Sequence, residues 1–395
     1  MVVRQQSRNE LTRALQEQYW RSDRAGKGRI LDTFCEATKY HRKYAIALLK
    51  HGSVKSGPRR RRRRGRPPTY DARVIGALRV VAEAASWICG KRLAPGLVDL
   101  VPALEREGTL RIDDHVRAAL LTLSPATIDR RLAADKRRPK QRGLSATKPG
   151  SLLKSQIPIQ TYLPWDDHVP GFVEIDLVAH CGASAAGDFA LTLDVTDIAT
   201  GWTECTAILN KSQQATFEGI TRIRERFPFP LKGIDSDNGS EFINHHLLAY
   251  CKETGLSFTR CRAYHKDDQA HVEEKNWDVV RRTIGYDRLQ GQDACEQLDR
   301  IYDLLRIYRN CYLPAMKCIG KERFGSKVRK RFDNPTSPYR RALAAGVLTD
   351  GVRDALSAQL VATGPMTLKR QIDRELNILW DRHSLSTNHM AADTA

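Results

Sequence analysis

The spacing of apolar residues predicts helices in the amino-terminal part of the chain. From Ile30, apolar positions recur at helical intervals on both sides of a break at residues 38–40, which predicts two short helices in a helix-turn-helix-like pair. The predicted inner faces are formed by Ile30, Leu31, Phe34, Ala45, Ile46 and Leu49. Residues 72–134 also have helical spacing, and Ser124 and Pro125 predict the N-cap and first turn of a helix in a second such pair.

After residue 171 the spacing changes to alternation. The segments FVEIDLVAH, DFALTLDVTD and GWTECTAI predict three short antiparallel strands. A helix over 213–227, a strand ending in GIDSD, a helix from Glu241, a strand SFTRCR and a helix from Gln269 to about Ile284 are predicted next. This order predicts an α/β fold with helices covering a mixed five-stranded sheet, followed by a mostly helical carboxyl-terminal region.

Two breaks in composition separate these regions. Residues 59–64 are six consecutive arginines, which repel one another and cannot pack in a core, and Pro and Gly interrupt residues 136–154. The predicted divisions are a helix-turn-helix-like segment 1–57, a polybasic linker 58–70, a helical segment 71–140, a basic connector 141–165, an α/β domain 166–300, and a basic region 301–395. A disordered tail is predicted after about Asn388.

Charge is unevenly distributed along the chain. Lys and Arg total 65 against 46 Asp and Glu, for a formal net charge of +19. Residues 1–70 contain 19 basic and 5 acidic residues, whereas residues 171–300 contain 14 basic and 21 acidic residues. A basic excess of this size indicates a polyanionic partner, either nucleic acid or an anionic membrane surface. An acidic middle between basic flanks favours double-stranded DNA.

Several basic residues are candidates for DNA contacts. Arg42 and Lys43 lie on the second helix of the first pair, and Arg130 and Arg131 lie on the second helix of the second pair. In the linker the candidates are Arg61, Arg64 and Arg66, the last two within an Arg-Gly-Arg-Pro stretch typical of an arm in the DNA minor groove. Helical hairpins with a solvated basic face, and a plain polybasic linker, are the alternatives.

The expected location is the cytoplasm, with association to the nucleoid. No apolar run approaches the ~18 residues of a membrane span, and the polar start of the chain lacks the apolar core of a signal peptide. Nine cysteines without a C-x-x-C pair fit a reducing compartment. No membrane partner is therefore expected.

Three acids stand where separate elements can converge. Asp176 lies within the first predicted strand, Asp237 at the end of the fourth, and Glu273 in the helix after the fifth. At an effective dielectric of ~20, two unit charges ~4 Å apart repel by about 4 kcal/mol, and a hard divalent cation reverses that sign. All-oxygen ligands suit Mg²⁺ or Mn²⁺, and two ions ~3.5 to 4 Å apart can serve in-line displacement at phosphorus.

Each of these assignments has an alternative. Asp237 can be a turn residue before Asn238-Gly239, and Glu273 can be a surface acid of its helix. Asp194 and Asp197 are expected to serve a strand turn. On the Glu273 helix, Lys275, Arg281 and Arg282 are candidates to bind DNA phosphates, with a solvated charged face as the alternative.

Together these residues resemble the DDE transposases and integrases of the retroviral-integrase superfamily, in particular bacterial insertion-sequence transposases. The resemblance rests on Asp176 in FVEIDLVAH, Asp237 in DNGSEF and Glu273 in VEEKN, with 35 residues between the last two. Glu274 beside Glu273 is a departure from the family pattern, and the amino-terminal His/Cys zinc module of retroviral integrases is lacking.

The resemblance implies a ribonuclease H-like fold and a polynucleotidyl transferase that uses Asp176, Asp237 and Glu273 as metal ligands. Such an enzyme binds the inverted-repeat ends of a mobile element, exposes 3′ hydroxyls and joins them to target DNA, commonly as a homo-oligomer on DNA. The alternatives are a ribonuclease H-like nuclease that hydrolyses without joining, and a DNA-binding regulator that has lost activity.

Overall fold

The computed structural model describes residues 5–51, 70–136, 169–237, 239, 241–242, 245–260, 270–325 and 327–392. Contacts divide the chain into two compact units, Met1–Thr69 and Tyr70–Ala395. The predicted boundaries at residues 140, 165 and 300 lie within the second unit.

Over residues 5–51, the first unit contains three helices, α1 (Gln5–Arg21), α2 (Arg24–Thr38) and α3 (Arg42–His51). Their core includes Leu31, Phe34, Ala45 and Leu49, which were predicted to face inward, whereas Ile30 and Ile46 are partly buried against it. The predicted break is present, because Lys39 adopts φ 60° after the end of α2 and its N–H bonds back to Cys35. The linker arginines 59–64 lie outside the described residues.

The second unit begins with four helices, α4 (Ala72–Ala84), α5 (Gly90–Arg106), α6 (Asp114–Leu121) and α7 (Pro125–Leu132). The Ser124 side chain accepts a hydrogen bond from the Thr127 N–H and Pro125 occupies the first turn of α7, as the sequence predicts. A Cβ at Gly90 would lie 2.2 Å from the Pro125 carbonyl oxygen. Glycine therefore lets the start of α5 approach the start of α7 closely.

A five-stranded mixed sheet lies in the middle of this unit. The strands are β1 (Phe172–Ala179), β2 (Leu191–Asp197), β3 (Thr203–Ile208), β4 (Gly233–Ser236) and β5 (Ser257–Arg260), in the order β3-β2-β1-β4-β5. β1 is antiparallel to β2 and parallel to β4, and β5 is parallel to β4. Nearly all residues of β1, β2, β3 and β4 are buried, because helices cover the sheet.

The helices around the sheet are α8 (Gln213–Arg226), α9 (His245–Glu253) and a composite helix over residues 270–284. That composite, named here the Glu273 helix, consists of α10 (Ala270–Lys275), a π-helical segment (Asn276–Arg281) and α11 (Arg282–Ile284). α8 packs on β2 and β3, and α10 packs across β1 and β2. This arrangement confirms the predicted ribonuclease H-like α/β fold.

The carboxyl-terminal region contains α12 (Gln292–Ile307), a π-helical segment (Tyr308–Tyr312), β6 (Cys318–Phe324), β7 (Lys327–Phe332), α13 (Pro338–Ala344), α14 (Asp350–Ala362) and α15 (Pro365–Ala392). The region is mostly helical, as predicted, and the β6–β7 hairpin interrupts the helices, because Gly325, at φ 60°, permits a tight turn between two strands. The last helix continues to Ala392, past the predicted start of a disordered tail. In the described part of the chain, no helix is long and apolar enough to cross a membrane.

α4–α7 pack directly on the α/β domain and the carboxyl-terminal helices. The Arg92 side chain of α5 donates a 2.7 Å hydrogen bond to the Pro314 carbonyl, and the Tyr308 hydroxyl donates to the Ala84 carbonyl. Leu93, Leu97 and Leu100 of α5 belong to the same buried core as the sheet. The second helix pair is thus held in a fixed position relative to the sheet.

Candidate active site

Asp176 and Asp237 lie next to each other on adjacent parallel strands. β1 and β4 pair in a register that joins Ile175 to Ser236, so Asp176 and Asp237 are the following residues on the two strands. Asp237 stands at the carboxyl end of β4, where ligands usually bind an open α/β sheet. The topology therefore brings the first two predicted acids together.

The Asp176 carboxyl is half-buried and accepts two hydrogen bonds. The donors are the Leu177 N–H at 2.8 Å and the Asn276 side-chain amide at 2.6 Å. Burial, followed by the negative charge of Asp237 and, more weakly, that of Glu273, raises the pKa of Asp176 to about 7. The carboxyl is therefore placed where its negative charge is poorly compensated by protein groups.

Asp237 also serves the turn that follows β4. Its Oδ1 accepts a 2.8 Å hydrogen bond from the Gly239 N–H. Asp237 therefore has the turn role that was the alternative prediction, and it also lies beside Asp176. Burial is the main cause of its raised pKa, and the charge of Glu241 adds to the effect. Asn238 lies outside the described residues.

The Glu273 helix is anchored to the same strand as Asp176. Both the His271 and the Val272 N–H donate 2.9 Å hydrogen bonds to the buried Glu174 carboxylate, so a negative charge satisfies the first turn of the helix. Sequence reasoning missed Glu174. The signal was present, because alternation along β1 places Glu174 on the same face as Asp176.

The two neighbouring glutamates of this helix differ in their surroundings. Glu273 is exposed and its charge acts on Asp176. Glu274 lies 3.8 Å from the Lys275 ammonium and lines a small cleft with Thr196, Ile198 and other residues. These surroundings favour Glu273 over Glu274 as the partner of Asp176.

Asp235, the other acid of β4, is fully buried and accepts a 2.6 Å hydrogen bond from the Thr259 hydroxyl. It pairs across the sheet with Glu174 and Thr259, one pleat before Asp237. Its hydrogen bond to β5 is consistent with a role inside the sheet.

Asp194 does not serve a turn, contrary to expectation. It lies in the middle of β2, directly opposite Asp176, and is fully buried. Burial, with a smaller contribution from the charge of Asp176, raises its pKa to about 8, against the lowering effects of the Thr196 hydrogen bond and of Lys275. Asp197 does serve the β2–β3 turn, because its carboxylate accepts from the Gly171 and Thr200 N–H groups. Because side chains alternate along a strand, Asp194 and Asp197 lie on opposite faces of β2. The sequence interpretation overlooked this difference.

A buried charge cluster fixes the middle of the Glu273 helix. Asp278, 7% exposed, lies within 3.2 Å of the guanidinium groups of Arg92, Arg282 and Arg309. Burial raises the pKa of Asp278, but the positive charges of Arg309 and Arg92 outweigh this effect, so its pKa is strongly lowered. The cluster joins α5, the Glu273 helix and the π-helical segment after α12.

The three basic residues predicted to bind phosphates on this helix point into the protein. Lys275 is buried, and burial lowers its pKa. Arg281 donates to the Ala179 carbonyl and Arg282 donates to the Ser86 carbonyl and Asp278. Arg281 and Arg282 are thus engaged by groups of the protein, and their binding to DNA phosphates, like that of Lys275, stays a prediction.

The other candidate DNA contacts are in exposed positions where the structure describes them. Arg42 and Lys43 are exposed on α3, although Arg42 forms an ion pair with Asp32. Arg130 and Arg131 are exposed on α7, opposite the buried Ile128 and Leu132. Arg61, Arg64 and Arg66 lie outside the described residues.

The acid set has the chemistry of a site for a hard divalent cation. Its donors are all carboxylate oxygens, and the raised pKa values of Asp176 and Asp237 reflect uncompensated negative charge. Within the described ranges, no three Asp, Glu, His or Cys side chains form a group that could hold a metal ion as they stand. The chemistry of the donor set fits the ion.

The α/β domain matches a known domain family. The family model described as "Integrase core domain" matches residues 166–266, so this part of the chain is similar to the integrase cores of DDE transposases and integrases. The chain also belongs to the family of the protein y4rM of Sinorhizobium fredii (strain NBRC 101917 / NGR234), which is described as uncharacterized. The two are 43% identical over 337 residues, covering 85% of this chain and 95% of y4rM.

Among solved structures, the chain is similar to the catalytic core domain of BIV integrase in crystal form I. The identity is 19%, the TM-score is 0.31, and the match covers 45% of this chain and 95% of that one. It is also similar to the HTLV-2 integrase catalytic core domain in complex with magnesium, in a trimeric form. There the identity is 13%, the TM-score 0.25, and the coverage 29% and 70%.

Proposed function

We propose that this protein is a transposase that binds the inverted-repeat ends of a mobile element and catalyses metal-dependent DNA cleavage and strand transfer. The observation that carries the proposal is that Asp176 and Asp237 directly follow a residue pair of the parallel strands β1 and β4, with the charge of Glu273 acting on Asp176. The integrase core match over the same region supports it. We further propose that it acts on double-stranded DNA in the cytoplasm, as a homo-oligomer associated with the nucleoid.

In this proposal Asp176, Asp237 and Glu273 would hold two Mg²⁺ or Mn²⁺ ions through carboxylate oxygens. Such ions would supply activation of the attacking oxygen and charge stabilisation of the leaving oxygen for in-line displacement at phosphorus. Asn276 donates to Asp176 and fixes the orientation of its carboxylate. Glu174 anchors the first turn of the Glu273 helix and so sets where Glu273 can reach.

The exposed basic residues supply DNA affinity in the proposal. Arg130 and Arg131 of α7 and Arg42 and Lys43 of α3 are in positions to contact phosphates or base edges. The linker candidates Arg61, Arg64 and Arg66 are retained on sequence grounds. Because these groups are separate from the acids, binding and chemistry should be separable by mutation.

The test compares single variants on DNA carrying the repeats that flank the gene. We expect Asp176→Asn, Asp237→Asn and Glu273→Gln to lower cleavage roughly 10²- to 10⁴-fold while DNA affinity is retained. The matched controls are Asp235→Asn and Glu274→Gln, which remove a carboxylate charge from the neighbouring positions and should retain measurable cleavage. Activity of Glu273→Gln together with a dead Glu274→Gln would show that the wrong acid had been assigned.

Three outcomes separate the candidate functions. With a pre-cut end bearing a 3′ hydroxyl, joined products in Mg²⁺ or Mn²⁺ support the transposase. Cleavage without joined products would instead identify a nuclease. Sequence-specific binding with no cleavage in either metal would identify a regulator, and strand transfer at full rate in excess EDTA would contradict metal dependence.

A further inference from the structure

The hairpin formed by β6 and β7 is strongly basic and exposed. Residues 317–332 contain seven Lys or Arg and a single acid, Glu322. The described side chains from Glu322 to Phe324 and from Val328 to Arg331 are all exposed. No function considered so far uses this surface.

Most of the basic residues described on the hairpin have no acid directly opposite them. Arg329 is opposite Glu322, whereas Arg323 is opposite Val328 and Arg331 is opposite Gly320. Three apolar side chains are also exposed along the hairpin, namely Ile319 at 51%, Phe324 at 63% and Val328 at 47%. A two-stranded hairpin has little stability of its own. Exposed basic side chains next to exposed apolar side chains therefore indicate a binding surface for a polyanion whose grooves have apolar edges.

The base of the hairpin is held firmly. The Lys317 N–H donates a 2.6 Å hydrogen bond to the Asp333 carboxylate, and the Asp333 N–H donates back to the Lys317 carbonyl. Arg341 donates to Asp333 and to the Ala315 carbonyl. The exposed strands therefore extend from a fixed base within the second unit.

This base lies between the second helix pair and the acid site. On one side the Lys91 ammonium lies 5.6 Å from the centre of the Phe332 ring, and the adjacent Gly90 N–H donates to Asp129 of α7. On the other side Lys317 lines a small cleft together with His271 and Glu274 of the Glu273 helix. A ligand that reaches from α7 to the acids would pass beside the hairpin.

We propose that the β6–β7 hairpin is a DNA-binding arm that holds duplex DNA, through its backbone phosphates, between α7 and the acid site. A two-stranded ribbon fits the major groove of DNA, and Arg329 and Arg331 lie on one face of β7 because they are two residues apart. The proposal rests on the proposed function only in taking DNA as the substrate. It adds a binding surface that the helix pairs do not provide.

The first test measures binding of the full-length protein to a 30-base-pair duplex in EDTA, by fluorescence anisotropy at 50 to 200 mM salt. Each lost phosphate contact reduces the slope of log K against log salt by about 0.9, so Arg329→Gln/Arg331→Gln should reduce it by about 1.8. The loss of affinity over this fourfold salt range should then be about 12-fold smaller than in the wild type. The control is Arg353→Gln/Arg370→Gln, which removes two exposed arginines from α14 and α15 and should leave the slope unchanged.

The second test places the photo-crosslinking residue p-benzoylphenylalanine at position 324, and at position 361 as the control. Phe324 is on the hairpin, and Val361, 72% exposed, is on α14. We expect crosslinks to DNA from position 324 alone. Retained DNA binding with an unchanged salt slope and no crosslink at 324 would overturn the hairpin proposal while leaving the transposase proposal intact. If the wild-type protein bound no duplex DNA, both the hairpin proposal and the transposase proposal would be contradicted. A marked preference for an RNA duplex would reject DNA as the partner.

Discussion

Asp278→Asn should destabilise the second unit substantially. The substitution keeps the shape of the side chain but removes its charge, so Arg92, Arg309 and Arg282 lose their shared buried counter-charge. The Arg309 side chain is only 8% exposed and that of Arg92 15% exposed, so water cannot replace the carboxylate effectively. Removing one partner of a buried ion pair lowers the free energy of unfolding by about 3 to 5 kcal/mol, and we expect a loss of that order here.

The expected loss can be read as a thermal shift. With an unfolding entropy of about 2 cal/mol/K per residue, a unit spanning residues 70–395 should lose about 1.5 °C in Tm per kcal/mol, and hence about 4 to 7 °C. The assay is a melt followed by circular dichroism. The control is Asp354→Asn, an exposed acid of α14 that lies 3.6 Å from Arg353, where an exposed pair contributes about 1 kcal/mol or less. If Asp278→Asn melted within about 1 °C of the wild type, the buried arginines would not depend on this carboxylate, and the reasoning would be refuted.

Two further predictions concern the acid site and the start of α5. Because the pKa of Asp176 in the folded protein is about 7, against an ordinary value of 3.8, the folded state binds more protons between these pH values and loses stability as pH rises through them. Asp176→Asn should therefore raise the Tm in EDTA at pH 8 but not at pH 4, and an equal gain at both would contradict the assignment. Gly90→Ala should destabilise the protein, because its Cβ would lie 2.2 Å from the Pro125 carbonyl oxygen. Gly76→Ala, in open space within α4, should stabilise it by about 0.5 to 1 kcal/mol, and equal melting temperatures for the two variants would count against this packing.

Local pattern was enough to identify the elements that carry the acids. Alternation placed Asp176 inside a strand, the Asn-Gly pair marked the end of the strand before Asp237, and helical spacing placed Glu273 on a helix. Ser124 and Pro125 marked the start of α7 because capping depends only on nearby backbone groups. In each case the deciding interaction is formed within a few residues along the chain.

Side-chain environments that depend on distant partners were not accessible in this way. The burial of Lys275 and the inward pairing of Arg282 depend on how α5 and the sheet pack against the Glu273 helix. The β6–β7 hairpin was missed because its strands are rich in Lys and Arg and have little apolar alternation. Local spacing does not contain this information.

The sequence by itself determined the α/β order, the three acids and the basic flanks, because periodicity and charge are properties of adjacent residues. Tertiary structure alone decided that Asp194 stands opposite Asp176, that Glu174 anchors the Glu273 helix, and that Asp278 joins that helix to α5. The physical reason is that strand register and helix packing bring together residues about 20 to 190 positions apart. Which of several acids becomes buried, bonded or uncompensated is settled only when those long-range contacts form.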